Sequence, residues 1–351
     1  VRSDTKSVQD FVLHSKLFVM LCATSANHPL LNMIPMNETK KPHVLVTAAG
    51  GPAGVNALRL LKQHPELRLF GVDINPESIG KDIADEFAVV APFSDFPRYK
   101  EELRKIVTDW KIDFVIPTLA DELHEVAEVL AGLPVRVLVS PTPTALICSD
   151  KRLLYTWMQE HLPEYLTRWQ TLDRPLVWDA PAYFVKPAVG RGARGCTRVT
   201  KEDLPAFIAE LEHPEEWVVM DLLPGKEWTV DAYISAAGEP VFIVPRVRLE
   251  VVSGISRRGQ TERNTQVIAQ TYAIVSNLKF VGPLCVQWKE DPKGDIKLVE
   301  INARLSGGLM ITVAAGADPM QVFVDEVFDR PLISPEWKEG EFTGFTDFTR
   351  A

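Results

Sequence analysis

Residues 298–304 read Leu298-Val299-Glu300-Ile301-Asn302-Ala303-Arg304, and their alternation is that of a β-strand. Successive side chains on a strand point to opposite faces, so Val299, Ile301 and Ala303 share one face and Glu300, Asn302 and Arg304 the other. A half-buried strand of purely structural purpose would more often carry Thr, Lys or Ser on its polar side. A carboxylate, an amide and a guanidinium together suit Mg²⁺ and a phosphate bound to it, because Mg²⁺ takes oxygen ligands shared among protein, water and phosphate. Upstream, Pro283 to Lys289 reads as a second strand, and Glu290 to Asp295 between them holds Pro292 and Gly294. That is a hairpin signature, which sets Gln287 beside the Glu300 face as another oxygen ligand.

Outward from this hairpin the chain changes character once. From Pro42, apolar strands (His43 to Ala48, Leu69 to Asp73, Phe114 to Pro117, Val135 to Val139) alternate with helical segments (Val55 to Gln63, Tyr99 to Trp110, Asp121 to Leu130). This spacing predicts a parallel sheet with helical crossovers over about residues 42–140. Pro141-Thr142-Pro143 marks a boundary, followed by a helix over Ser149 to His161. Beyond it, strands at Ala182 to Lys186, Trp217 to Asp221, Trp228 to Ile234 and Val241 to Pro245 are joined by short turns, an α+β pattern. Residues 333–351 are polar and aromatic and are set apart as a tail. The apolar run Leu17 to Ala26 is too short to span a bilayer. The expectation for residues 1–41 is a leader outside the fold, the alternatives being a secretory signal or a start at Met33 or Met36.

The 351 residues carry 38 Lys and Arg against 47 Asp and Glu, a formal charge of −9. That balance argues against nucleic acid or an anionic membrane as the main partner. The four cysteines are scattered without a Cys-x-x-Cys pair, which suits a reducing compartment and suggests neither a zinc site nor a disulfide framework.

Two glycine loops invite a dinucleotide reading, and neither supports it. Gly190-Arg191-Gly192-Ala193-Arg194-Gly195 matches G-x-G-x-x-G, yet strand-like Cys196 to Thr200 follows where a helix is required. Strand, glycine loop, strand is instead a flap whose backbone N–H groups can cover phosphates, and Lys186 just before it can reach them. The alternative is an ordinary hairpin turn with a solvated lysine. Gly50 to Gly54 lies between a strand and a helix with Asp73 further on, but its spacing departs from the fingerprint and Pro52 lacks an N–H. An anion site at that helix start remains open.

Taken in order, Lys186, the 190–195 flap, Gln287 and Glu300-x-Asn302-x-Arg304 resemble the ATP-grasp superfamily, in its single-module branch similar to the carbamoyl-phosphate synthase large subunit. The resemblance covers about residues 42–330. It implies an α/β parallel-sheet pre-ATP-grasp domain (42–140) and a two-lobed α+β ATP-grasp domain, with the small lobe over 141–220 and the large lobe over 221–332. It also implies that Lys151, Lys186 and the flap glycines Gly190, Gly192 and Gly195 contact ATP phosphates. Asp221, Leu222 and Leu223 would meet the adenine, and Glu227 the ribose. Gln287, Glu300 and Asn302 would hold two Mg²⁺ ions, with Mn²⁺ as a substitute, and Arg304 would stabilise an acyl phosphate.

The activity so implied is an ATP-dependent ligase that couples a carboxylate to an amine with release of ADP and phosphate. A carbamoyl-phosphate-synthase-like module acting on bicarbonate, and a nucleotide-binding regulatory protein without turnover, are the alternatives. Expected partners are small-molecule carboxylates and amines, in the cytoplasm, with a homodimer in keeping with related ligases. For the substrate, the reading offers Arg248 and Arg257 as carboxylate clamps and Asp121 and Glu122 as holders of an amine. Ser306 and Gly307 would form a close turn at the acyl site. Each has a plainer reading, as a solvated basic strand or as first-turn carboxylates favouring a helix dipole.

Overall fold

The computed structural model describes residues 41–190 and 192–344. The expected leader, save Lys41, lies outside the described residues, as do Arg191 of the flap and the tail beyond Gly344. The apolar run at 43–46 forms β1 (His43–Val46), whose Val44, Leu45 and Val46 are wholly buried, as the middle of a parallel sheet requires. The chain turns through Ala48 and enters α1 (Pro52–Leu61) with proline in the first turn, where its missing N–H costs no hydrogen bond. Gly54 lies against that turn, since a Cβ there would stand 2.4 Å from the Ala48 carbonyl oxygen.

The domain continues through β2 (Arg68–Asp73), α2 (Gly80–Ile83), β3 (Glu86–Val89), α3 (Phe96–Asp109), β4 (Phe114–Ile116), α4 (Leu123–Val129) and β5 (Arg136–Val137). The strands form a parallel sheet in the order β3-β2-β1-β4-β5. The α2–β3 pair was not expected from the sequence. As a short, partly exposed edge strand, β3 lacks the continuous apolar run that marks its neighbours.

Pro141-Thr142-Pro143, read as a boundary, opens α5 (Thr142–Ser149), and the expected helix follows as α6 (Lys151–His161) with Asp150 as its N-cap. The next lobe holds β6 (Trp169–Thr171), β7 (Ala182–Pro187), β8 (Thr197–Thr200), α7 (Leu204–Ala209) and β9 (Trp217–Asp221), an antiparallel sheet in the order β6-β9-β7-β8. It has its own small core, built on Leu172, Tyr183, Val185, Val199, Leu204 and Val219.

The larger lobe comprises β10 (Glu227–Ile234), β11 (Pro240–Val252), β12 (Ile255–Thr261), α8 (Thr265–Asn277), β13 (Gly282–Glu290), β14 (Ile296–Asn302), α9 (Met310–Ala314), α10 (Pro319–Val327) and β15 (Gly340–Thr343). Its antiparallel sheet runs β14-β13-β10-β11-β12-β15. The sixth strand thus comes from the segment set apart as a tail: Gly340–Thr343 pairs with β12. The first domain and this lobe share one core, in which Val44, Leu58 and Phe114 meet Tyr233, Met320 and Phe323. Phe114 packs edge-on against Phe323 with ring centroids 5.6 Å apart.

Candidate active site

Strand register lays out the floor of the site. Glu300 stands opposite Gln287, Gln287 opposite Thr229, and Thr229 opposite Arg246. Directly opposed residues share a face, so these four side chains form one row across β14, β13, β10 and β11. Asn302, Cys285 and Asp231 form the next row, two residues along each strand. Above the floor opens a cleft of about 1080 Å³, walled by Lys186 and the flap on one side and by Pro52 and Thr118 on the other.

The floor departs from simple alternation at Val299. Register passes from Gln287↔Glu300 to Trp288↔Leu298, so Val299 is the extra residue of a β-bulge. Leu298, Ile301 and Ala303 are buried in the core, but Val299 does not share their face as expected; it lines the cleft. Its carbonyl accepts hydrogen bonds from the Tyr155 hydroxyl (2.6 Å) and the Lys186 ammonium (3.0 Å).

Charge converges at Glu300. Its Oε1 accepts from Gln287 Nε2 (2.8 Å) and Asn302 Nδ2 (2.9 Å), while Asn302 Oδ1 accepts from Arg304 Nη2 (3.1 Å). Burial pushes the Glu300 carboxyl up, but Lys151, Lys186, the Asn302 amide and Arg304 together hold it below the usual carboxylate range. Lys186 is 2% exposed, and burial lowers its ammonium to about 8 against the opposing pull of Glu300.

The donor set fits Mg²⁺ held jointly with phosphates. A half-turn of either terminal amide would offer oxygen rather than nitrogen beside the Glu300 carboxylate. Among the described residues no three His, Cys, Asp or Glu side chains cluster to hold a metal by themselves. One carboxylate and two amides therefore leave most of the cation's charge to be met by a phosphorylated ligand.

At the opposite end, Asp221, Leu222 and Leu223 line the cleft as β9 ends. The Asp221 carboxylate is engaged by Arg168 (Nε to Oδ2, 3.0 Å; Nη2 to Oδ1, 2.9 Å) and by Thr167 Oγ1 (2.8 Å), so it is not a free partner for a base. Glu227 accepts from Arg248 and pairs with Lys289 at 3.2 Å. Lys151 sits at the start of α6, 7% exposed, and lines the cleft with Gly190 and Gly192. The flap follows β7 and leads into β8, as expected; Gly192 and Gly195 adopt φ values of 65° and 74°, which favour glycine. Gly195 lies outside the cleft lining, against Pro187 and Trp217.

Several expectations for the substrate end are corrected. Arg248 gives its terminal nitrogens to Glu227 and to the Gly254 carbonyl (2.8 Å), so in this conformation it is not an open clamp. Arg257 is exposed on β12 and does not line the cleft. Glu122 is 2% exposed and accepts from Thr47 Oγ1, Tyr99 OH (2.6 Å) and the Leu119 N–H (3.2 Å). Burial raises its carboxyl above the ordinary value against those donors, and it faces the interior of the first domain rather than an amine. Asp121 likewise falls just past the cleft-lining segment Thr118 to Ala120. Asp73 accepts from the Gly50 N–H (2.7 Å), so it braces the first glycine loop rather than meeting a ribose.

Ser306 and Gly307 do line the cleft, and they lead to residues that the sequence reading passed over. Ser306 Oγ accepts from Arg246 Nη2 (3.0 Å), whose Nε pairs with Asp231 Oδ2 (2.8 Å). The signal for Arg246 was its place beside Arg248 in the alternating strand. The signal for Tyr155 was its position four residues after Lys151, on the same helix face.

This geometry can be set beside known proteins. Residues 213–342 match a family model described as ATP-grasp in the biosynthetic pathway with Ter operon. No curated protein matches the chain in sequence. Among solved structures, N5-carboxyaminoimidazole ribonucleotide synthetase from Thermus thermophilus superposes with a TM-score of 0.65 at 19% identity, covering 85% of this chain and 81% of that one. The chain has the ATP-grasp fold. The ATP-grasp architecture also aligns with the biotin carboxylase domain of Hydrogenobacter thermophilus 2-oxoglutarate carboxylase, solved with MgADP and bicarbonate (TM-score 0.70, 12% identity, 85% and 73% covered). L-amino acid ligase from Bacillus licheniformis aligns with a TM-score of 0.65 at 16% identity, with 84% and 75% covered. At such identities the shared property is the ATP-grasp fold, with its parallel-sheet first domain and two antiparallel lobes.

Proposed function

We propose that the protein is an ATP-dependent ligase that activates a carboxylate as an acyl phosphate and joins it to an amine. The observation that carries this reading is Glu300, ionised on the cleft floor between Gln287 and Asn302 and faced by Lys151, Lys186 and Arg304. Two Mg²⁺ ions held by Glu300, Gln287 and Asn302, or Mn²⁺ in their place, would neutralise phosphate charge.

Lys151, Lys186 and the flap N–H groups orient the triphosphate, with the adenine beside Leu222 and Leu223 and the ribose hydroxyls on Glu227. A carboxylate oxygen of the substrate attacks the γ-phosphorus and the bond to ADP breaks. The amine then attacks the acyl carbon, phosphate leaves and the amine loses a proton. Arg304 supplies fixed positive charge where negative charge gathers on the acyl phosphate and its tetrahedral successor. Little covalent work falls to the protein, so positioning and charge neutralisation dominate.

A second reading makes bicarbonate the activated carboxylate, as in a carbamoyl-phosphate-synthase-like module; it is favoured by the bicarbonate in the Hydrogenobacter structure of the same fold. A screen of Mg-ATP turnover against pooled carboxylates, amines and bicarbonate, following ADP with phosphate and AMP with pyrophosphate, separates the two. ADP and phosphate that require an organic carboxylate and an amine support the first reading; stimulation by bicarbonate with ammonia supports the second. AMP and pyrophosphate contradict both. The reading carries a cytoplasmic setting, where ATP is at hand, and homodimeric assembly, which light scattering tests. Among the described residues, no helix is long and apolar enough to cross a membrane.

A further inference from the structure

Among the described residues, Arg246 is the largest charged side chain wholly inside the larger lobe, 1% exposed, and its Nη1 has no hydrogen-bond partner. A buried guanidinium with an idle donor costs stability unless a further acceptor arrives. Arg246 nevertheless lines the cleft, beside the Ser306-Gly307-Gly308 turn. Glycine at 308 keeps the approach open: a Cβ there would stand 3.1 Å from both terminal nitrogens.

The same turn touches α1. The Asn56 amide donates to the Gly307 carbonyl (3.2 Å), and a Cβ on Gly307 would lie 3.4 Å from the Pro52 Cβ. Among the described residues no side chain caps the start of α1, and Gly51, Pro52 and Ala53 line the cleft. Pro52 has no N–H and the Gly51 N–H donates to the Ala48 carbonyl (2.9 Å), which leaves the N–H groups of Ala53 and Gly54 to present the positive end of the helix dipole. An unpaired guanidinium nitrogen and an uncapped helix start therefore flank one turn, away from the Glu300 end of the row.

We infer that Arg246 and the start of α1 form a seat for a carboxylate that does not react, carried by the amine acceptor, so that the acceptor is an amino acid rather than a simple amine. This rests on the ligase reading for the word acceptor, but the seat itself does not. The ion pair with Asp231 already offsets the charge of Arg246, which suits a singly charged carboxylate better than a dianionic phosphate.

The test is binding without turnover. L-amino acids and their α-carboxamides are titrated calorimetrically into the full chain with Mg²⁺ and a non-hydrolysable ATP analogue. At least one amino acid should bind at least about tenfold more tightly than its carboxamide. Arg246→Lys, which keeps the charge beside Asp231, should abolish that preference while leaving affinity for the nucleotide analogue unchanged. Gly308→Ala, which crowds the guanidinium but spares the ion pair, should do the same. Equal binding of acid and carboxamide, binding of neither, or a preference that survives in both variants overturns the seat. Acid preference without ADP release in the turnover screen overturns only the ligase reading, and ADP release without acid preference only the seat.

Discussion

The ammonium of Lys186 lies 3.0 Å from the carbonyl of Val299, the residue at which the β13–β14 register slips. The bulge and the lysine belong together. Without the extra residue, the Val299 carbonyl would sit in the ladder and Lys186 would be buried with one acceptor fewer. Burial still dominates and brings the ammonium down to about 8 from the ordinary 10.5. Below pH 8 the lysine is protonated in folded and unfolded chains alike. Between about 8 and 10.5 the unfolded chain binds a proton at this lysine that the folded chain lacks, so the contribution of Lys186 to unfolding free energy rises with pH across this window. Denaturant unfolding in EDTA from pH 7.5 to 10.5 should give a difference in stability, wild type minus Lys186→Met, that rises with pH. Parallel curves would contradict the lowered value.

Glu300 offers a sharper test of the chemistry. Glu300→Gln keeps the shape of the side chain and its place in the row with Gln287 and Thr229, but removes the charge that Lys151, Lys186 and Arg304 face. ADP release should fall by about a thousandfold, the scale seen when a preorganised charge-stabilising group is lost. Circular dichroism should be unchanged. EDTA should stop turnover in the wild type, and either Mg²⁺ or Mn²⁺ should restore it. Turnover within a few-fold of normal in the variant would remove the metal assignment.

The strand at 298–304 was legible because its polar face breaks the habit of an ordinary sheet, and the parallel sheet because its buried strands are continuous apolar runs. What escaped notice depends on long-range pairing. The bulge at Val299 follows from register against β13, which no local pattern encodes. Gly340–Thr343 becomes a strand only because β12 offers it an edge. Glu122 read as a holder of an amine or as a first-turn carboxylate favouring the helix dipole, but the fold brings Thr47 and Tyr99 onto it from distant segments. Arg246 and Arg248 read alike in sequence; their different partners, Asp231 and Glu227, separate them only in three dimensions.

Glu227 should report on the ribose. It is held by Arg248 and Lys289, which orient its carboxylate at the cleft edge. Hydrogen bonds to a charged acceptor contribute about 1.5–3 kcal/mol, roughly ten- to 150-fold in affinity. Glu227→Gln should therefore raise KM for ATP by at least about tenfold with less effect on kcat. The wild type should also disfavour 2′-deoxy-ATP, and the variant should discriminate less. Unchanged discrimination would reassign Glu227 to a purely structural pairing with Arg248.

The flap and the β11–β12 hairpin approach each other across the mouth of the cleft. The β11–β12 hairpin turns through Ser253 (φ 50°) and Gly254 (φ 77°), and a Cβ on Gly254 would lie 3.2 Å from the carbonyl carbon of Gly192 in the flap. The two lobes thus meet backbone to backbone, glycine against glycine, beside the flap residues that line the cleft. Gly254→Val places a branched side chain in that gap and in a left-handed conformation, at a backbone cost of about 1–2 kcal/mol. The hairpin should survive, because its strands pair over many residues between Arg246 and Thr261. The flap, however, should no longer close on nucleotide. KM for ATP should rise about tenfold, on the scale of one lost charge-assisted contact. Trypsin cleavage at Arg194, which nucleotide should suppress in the wild type, should persist in the variant. Normal KM together with full protection would show that the Gly192–Gly254 approach has no part in closure.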